Sequence, residues 1–145
     1  MLSLIQRVTS ASVSINQEIV GSIQHGILAL VGIEKTDTQK QAERLLERIL
    51  TYRIFNDTHK KMNLNLQDIK GGLLLVSQFT LVADTKSGTR PGFSTAMQPE
   101  QSEPLFNYLV QLAKQKHALV SSGQFGADMQ VTLCNDGPVT FLLNV

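Results

Sequence analysis

Several features are scarce or missing in this sequence, and each absence narrows what the protein can be. Cys134 is the single cysteine, so no disulfide can form within one chain, and we expect a reducing compartment. No stretch approaches the roughly 20 apolar residues that span a bilayer, and the first residues contain no apolar core of signal-peptide length. We therefore expect a cytoplasmic protein made of a single domain over residues 1–145.

Charge is scarce as well. Charged residues make up 17% of the chain, against about 25% in typical soluble domains. Thirteen basic and twelve acidic residues leave a net charge of +1, which excludes a strong field over the whole molecule that attracts nucleic acid. A surface with few charges also suggests that part of it is covered in an oligomer.

The common catalytic motifs are missing too. The chain has no G-x-S-x-G elbow, no Walker loop and no G-x-G-x-x-G after a strand. His25, His59 and His117 are scattered, without HExxH or a cysteine pair, so we predict no metal and no cofactor. We expect Cys134 to be a small buried residue of a strand and His117 to be a solvated charge at a helix end.

Periodic patterns are present and predict a mixed α/β domain. Period-2 alternation around Val13 and Ile15 followed by INQEIVG (15–21) predicts a hairpin, and the apolar run 26–33 predicts a central strand. Thr38 and Gln41 fit a capping box ahead of an amphipathic helix over 38–53. A second amphipathic helix is predicted by Leu105, Phe106, Leu109, Val110, Leu112 and Ala113.

The remaining segments complete the predicted fold. Residues 72–82 are predicted to form a strand, and 83–100 a polar loop longer than the about 12–15 residues usual in compact domains. Alternation over 129–133 and 139–145 predicts two closing strands separated by NDGP (135–138). Together these elements predict β-strands in a barrel-like layer with two amphipathic helices packed on one side.

Two polar stretches stand out within the predicted strands, SQFT (77–80) and NDGPVT (135–140). Burying an uncompensated hydroxyl or amide costs about 1–3 kcal/mol, so polar groups inside a strand need a purpose. Each stretch also has an ordinary explanation, because Ser77 and Thr80 can hydrogen-bond to neighbouring backbone and NDGP can form a plain turn.

With these two motifs in place, the chain closely resembles the D-aminoacyl-tRNA deacylases, which form the D-Tyr-tRNA deacylase family. The resemblance runs from end to end through IQRVTSASVSI, GILALVGIEKTD, RIFND, KMNLNL, LLLVSQFTLVADTKSGTRPGFS and GQFGADMQVTLCNDGPVTFLLN. Gly92 departs from the pattern, since members often have Ser after the loop proline, and this affects only the detail of the loop.

The resemblance implies a homodimer that hydrolyses the ester between a D-amino acid and the 3′-terminal adenosine of tRNA. It further implies that glycine is removed from mischarged tRNA and that L-aminoacyl-tRNA is rejected. The implied pocket lies at the dimer interface, between SQFT of one subunit and a cis-linked Gly137–Pro138 of the other. Arg7 and Met129 are the implied supporting residues. The implied site residues of the SQFT segment are Ser77, Gln78, Phe79 and Thr80.

The chemistry of these residues favours main-chain catalysis. Neighbours in a regular strand point to opposite faces, so a partnership of the Ser77 and Thr80 side chains is not expected. Free N–H groups of Phe79 and Thr80 at a strand end suit the oxyanion of ester attack. Thr80 has no sequence-adjacent base, so we favour water assisted by the substrate's 2′-hydroxyl over a covalent Thr80 nucleophile. Phe79 lines the pocket or meets the terminal adenosine, and the alternative is that it packs in the core.

Local charge is the remaining candidate for RNA contact. Lys86 and Arg90 lie on the long loop, and Lys60 and Lys61 lie in THKKMN; the alternative is ordinary solvated charge. A non-catalytic module associated with RNA or DNA on the same fold is the rival function.

Overall fold

The computed structural model describes residues 1–145 and contains eight strands and two helices. The strands are β1 (Leu2–Ile15), β2 (Glu18–Ile23), β3 (Gly26–Gly32), β4 (Phe55–Asn56), β5 (Met62–Leu64), β6 (Gly72–Ser77), β7 (Val120–Ser122) and β8 (Gln130–Asn144). The helices are α1 (Gln39–Thr51) and α2 (Pro99–Lys116), and a 3₁₀ helix spans Phe79–Val82.

The long strand β1 organises the main sheet. On one side its first half pairs with β3 and its second half with β2, while β8 pairs along most of the other side. β6 joins β3 in parallel, and β7 joins β6. The outer strands β2 and β7 approach each other, because the Ser121 hydroxyl donates to the Ser22 carbonyl at 2.9 Å. The sheet therefore curls toward a barrel, as predicted.

The predicted hairpin and both predicted helices are confirmed. Asn16 and Gln17 adopt positive φ in the β1–β2 turn, the conformation that tight hairpin turns need. The Thr38–Gln41 capping box begins α1. The second helix is longer than the leucine pattern predicted, starting at Pro99 and ending at Lys116. Proline suits this first position because its N–H would have no helical acceptor.

Two apolar clusters lie in the molecule. The larger contains the buried faces of both helices and side chains of the sheet, with Leu46, Ile49, Phe106 and Leu109 at its centre. The smaller lies around Val8, Leu28 and Val76, and Met129, Val131 and Leu133 pack against it only partly buried. Both helices thus cover one face of the sheet, as predicted, and the other face is less completely covered.

The predicted strand 72–82 is wrong at its end. β6 stops at Ser77, and Phe79–Val82 form a 3₁₀ helix. The parallel partner β3 ends at Gly32, and the last link between the two segments is the Gln78 N–H donating to the Val31 carbonyl at 2.7 Å. Beyond this bond the chain has no further ladder partner, so it coils back on itself.

The predicted pair of closing strands is also wrong, because 130–144 form one strand that includes NDGP. Gln6 faces Thr140 and Val8 faces Asn135. Arg7 alone therefore stands opposite residues 136–139, which bulge from the ladder while both flanks remain paired with β1.

Candidate active site

A cleft of about 560 Å³ opens at the end of β6. Its lining includes Ser77, Gln78 and Phe79 of SQFT, together with Phe93 of the long loop and Met129 before β8. The beginning of α2 and residues 125–127 complete the wall, and most lining residues are hydrophobic. The cleft therefore offers an apolar surface whose polar groups are concentrated at the strand end.

The turn after Ser77 leaves two main-chain donors beside this cleft. The first hydrogen bond of the 3₁₀ helix runs from the Leu81 N–H to the Gln78 carbonyl at 3.1 Å. The amides of Phe79 and Thr80 precede that bond and have no acceptor within the helix. Paired N–H donors of this kind can stabilise the negative oxygen that develops when an ester is attacked.

The Thr80 hydroxyl is paired with an amide and not with a base. Gln78 Nε2 donates to Thr80 Oγ1, and no histidine or carboxylate is bonded to that hydroxyl. Ser77 makes no side-chain bond to Thr80, and its side chain is half-buried against the cleft. Within one chain, the Gln78 amide therefore orients the Thr80 hydroxyl, and no neighbouring group is placed to activate it as a nucleophile.

Two aromatic rings stand at the rim of the cleft. Phe79 is 62% exposed and Phe93 39% exposed, and their ring centroids are 5.1 Å apart at an interplanar angle of 47°. This exposure excludes the alternative in which Phe79 packs in the core. Exposed aromatic faces are typical platforms for nucleobases. Phe93 was not predicted as a site residue, because its irregular loop has no periodicity that would show which side chains share a face.

Met129, the residue before β8, supports the cleft wall. Its side chain lines the cleft and packs against the smaller apolar cluster. A Cβ added to Gly123 would lie 2.6 Å from the Met129 sulfur, so the absence of a side chain at position 123 makes room for Met129.

The Gly137–Pro138 segment lies elsewhere on the molecule. The peptide is cis, and Gly137 has φ +127°. Both residues are exposed, and neither lines the SQFT cleft of its own chain. Within one chain the structure therefore does not bring the two motifs together.

Arg7 anchors the residue that precedes this segment. Its Nε donates to the Asp136 carbonyl and contacts Asp136 Oδ2, both at 3.1 Å. Its Nη1 donates to the Ile54 carbonyl at 2.7 Å. Because Arg7 is only 7% exposed, the guanidinium is a buried link between β1, the residue before β4 and the bulge in β8.

The basic residues predicted for RNA contact lie on the surface. Lys60 and Lys61 are exposed in the β4–β5 turn, which is organised by Asp57. The Asp57 carboxylate accepts from the His59 and Lys61 N–H groups at 2.8 and 3.0 Å. Hydrogen bonds from the Lys61 backbone and the Asn63 side chain lower the pKa of Asp57.

Lys86 and Arg90 are exposed on the long loop, and neither forms an ion pair. Lys60 and Lys61 likewise form no ion pair.

Two predictions about single residues are wrong. Cys134 is exposed, because it lies on the outward face of β8, whose alternation leaves every second side chain in solvent. His117 is half-buried rather than solvated: one ring nitrogen is 2.6 Å from the Gly71 carbonyl. It joins the end of α2 to the start of β6.

No group of three or more histidine, cysteine or carboxylate side chains is arranged to hold a metal ion. No helix combines the length and apolar character needed to cross a membrane.

Main-chain donors beside an aromatic cleft suit the chemistry of one class of protein, the hydrolases that act on esters. The family model described as D-Tyr-tRNA(Tyr) deacylase matches residues 4–144, and the chain belongs to this family. A D-aminoacyl-tRNA deacylase from Pseudoalteromonas atlantica is 57% identical over 145 residues, which cover 100% of both chains.

Two solved structures have the same fold. One, described as a c-Myc DNA unwinding element binding protein, is 38% identical with a TM-score of 0.95, covering 100% of this chain and 99% of that one. The other, a probable eukaryotic D-amino acid tRNA deacylase, is 13% identical with a TM-score of 0.89, covering 99% and 98%. The second likeness concerns the fold alone.

Proposed function

We propose that this protein hydrolyses the ester bond of D-aminoacyl-tRNA and releases the free D-amino acid and tRNA. The same site removes glycine from mischarged tRNA and rejects L-aminoacyl-tRNA, as translation quality control in the cytoplasm. The observation that carries this proposal is the pair of Phe79 and Thr80 amides beside an aromatic cleft, in a chain whose family is that of the deacylases.

The working form is a homodimer with its active sites at the interface. Gly137 and Pro138 are exposed and do not line the cleft of their own chain, so a second copy has to supply them. β8 carries them and pairs with β1 alone, which leaves its other edge open for contact. The scarcity of charge and the partly buried side chains near Met129 are consistent with a covered face.

Each group of the substrate has a matching feature in the site. The terminal adenosine stacks on the Phe79–Phe93 pair, and the ester carbonyl accepts from the amides of Phe79 and Thr80. The carbonyls of the partner's Gly137–Pro138 segment accept from the substrate's α-ammonium. No organic cofactor or metal takes part in this scheme.

Water is the attacking group, and the substrate's 2′-hydroxyl assists it. The water oxygen forms a bond to the acyl carbon, the bond from that carbon to the ribose 3′-oxygen breaks, and a proton is transferred to the leaving oxygen. Because Thr80 bonds to the Gln78 amide and has no neighbouring base, it positions and does not attack.

Chirality is selected by exclusion. With the ammonium and the ester both held, one direction remains for the side chain on the α-carbon. A D side chain points to open space, whereas an L side chain meets the Gly137–Pro138 backbone. Glycine has no side chain and passes this filter, so no pocket for D side chains is needed.

The tRNA body meets the basic loops. Lys86, Arg90, Lys60 and Lys61 are exposed, and each phosphate they neutralise steepens the salt dependence of binding by roughly one logarithmic unit.

The test is deacylation of labelled D-Tyr-tRNA, L-Tyr-tRNA and mischarged glycyl-tRNA by the purified protein. We expect loss of label from the D-tyrosyl and glycyl substrates and none from the L-tyrosyl substrate above the spontaneous rate. Equal rates on D-Tyr-tRNA and L-Tyr-tRNA would refute the chiral filter, and no loss from any substrate would refute the activity.

A second candidate is a nucleic-acid-binding module without catalysis. It is favoured by the 38% identical structure, which is described as a DNA unwinding element binding protein. Binding of fluorescent single-stranded and duplex DNA, measured by anisotropy beside the deacylation assay, separates the two functions. Tight DNA binding together with no deacylation would support this second function.

A further inference from the structure

His25 lies next to the Gly137–Pro138 segment although it is far from it in the chain. It follows β2, and its ring Nε2 is 3.9 Å from Asp136 Oδ2. The ring meets Phe55 edge to face, with centroids 5.2 Å apart. Its backbone carbonyl accepts from the Gly72 N–H at 3.0 Å. The imidazole, which is 53% exposed, therefore lies beside the carboxylate of Asp136.

The Asp136 carboxylate is shared between this ring and Arg7. The oxygen that faces His25 is the one that lies 3.1 Å from Arg7 Nε. Asp136 immediately precedes Gly137, so a shift of its carboxylate moves the start of the segment. The Asp136 side chain is 40% exposed and Arg7 is buried, so His25, whose side chain is 53% exposed, is the more accessible of the two contacts of this carboxylate.

We propose that His25 is a positioning residue for the Gly137–Pro138 segment and acts through Asp136. When the imidazole is protonated it is a second cation on Asp136 Oδ2, and it holds the segment more closely than Arg7 alone. When it is neutral, Arg7 remains and the segment keeps its place less firmly. This inference rests on the proposed function, in which the segment meets the substrate.

Charged groups on three elements lie around His25. They are Asp136 on β8, Arg7 on β1 and, in the wall of the same cavity as His25, Lys70 before β6. Phe55 on β4 is uncharged. Histidines generally gain their charge between about pH 8 and about pH 5, so the contribution of His25 to activity should grow as the pH falls through this range.

The experiment compares pH profiles of kcat/KM for D-Tyr-tRNA between the wild type and His25→Gln. Taking their ratio cancels the titration of the substrate itself. We expect the ratio of wild type to variant to be close to one at about pH 8 and to rise to about two- to fivefold at about pH 5.5, the range for an exposed ion pair. His25→Lys stays charged across this range, so the ratio of wild type to this variant should be close to one at about pH 5.5 and fall below one at about pH 8.

Two controls separate this role from a general structural one. His59→Gln removes another exposed histidine whose ring makes no ion pair, and its ratio should stay flat with pH. In an Asp136→Asn background, the His25→Gln effect should disappear, because the carboxylate through which it acts is gone. Thermal unfolding of every variant identifies any that does not fold.

A pH-independent ratio for His25→Gln, or an equal effect in the Asp136→Asn background, would overturn the inference. Gly137→Ala in the same assay separates this failure from failure of the proposed function. If Gly137→Ala has the wild-type rate, the segment does not meet the substrate and the part of the proposed function that places it beside the α-ammonium fails. If Gly137→Ala is impaired and the His25 ratio is flat, only the role of His25 fails.

Discussion

Replacing Gly137 by alanine is the substitution that tests the proposed site most directly. Gly137 has φ +127°, a backbone conformation that L side chains rarely adopt. A Cβ at this position would lie 2.9 Å from Val139 Cγ2 and 3.1 Å from Arg7 Nη2. Gly137→Ala therefore has to change the backbone, or displace the guanidinium that holds Asp136, or both.

The size of the effect follows from the backbone strain. Holding a residue with a side chain in a sparsely populated conformation costs about 1–3 kcal/mol. If the variant relieves this strain by moving the segment away from the substrate, the substrate complex loses about the same free energy. kcat/KM then falls by about 5- to 150-fold. D-Tyr-tRNA and glycyl-tRNA should be affected alike, because the carbonyls that meet the α-ammonium serve both substrates.

The assay is kcat/KM on both substrates, with thermal unfolding measured in parallel. Gly88→Ala is a matched control, since Gly88 also has positive φ, at +72°, but a Cβ there meets nothing within 4 Å. We expect this control to keep kcat/KM near the wild-type value. Gly137→Ala with unchanged rates on both substrates would refute the placement of the segment beside the α-ammonium.

Three further outcomes are expected. Thr80→Ala should keep substantial activity, because the hydroxyl bonds only to the Gln78 amide; trapping an acyl-Thr80 adduct by mass spectrometry would contradict this. Light scattering should give twice the 16.0 kDa chain mass, and a monomer with full specific activity would count against the shared site. Lys60→Glu combined with Lys61→Glu should weaken tRNA binding and reduce its salt dependence by roughly one logarithmic unit per lysine; an unchanged slope would assign these lysines to the solvated surface.

The elements predicted correctly depend on neighbours in sequence. The β1–β2 hairpin follows from alternation around a short polar turn, and α1 follows from helical spacing behind the Thr38–Gln41 capping box. These signals act over a few residues, so no knowledge of distant contacts is needed to detect them. The identity of the SQFT and NDGPVT motifs was equally available, because the resemblance is carried by the residues themselves.

The elements predicted wrongly depend on partners far away in the chain. The end of β6 is set by the end of β3, and the 3₁₀ helix packs on Gly32, where an added Cβ would be 2.8 Å from Val82 Cγ1. Nothing local distinguishes FTLV from a continued strand. Likewise NDGP has the residues of a turn, yet β1 pairs with both of its flanks and keeps them in one strand.

The sequence by itself therefore determined the class of fold, the family and the residue types at the site, because periodicity and motif identity are properties of the chain. Only the tertiary structure decided that Phe79 is exposed beside Phe93, that the amides of Phe79 and Thr80 begin a 3₁₀ helix, and that Asp136 lies between Arg7 and His25. Each of these facts depends on which distant segments the curled sheet brings together. The hydrogen bonds that join such segments link residues 33, 46 or more than 100 positions apart in the chain, and no local pattern encodes them.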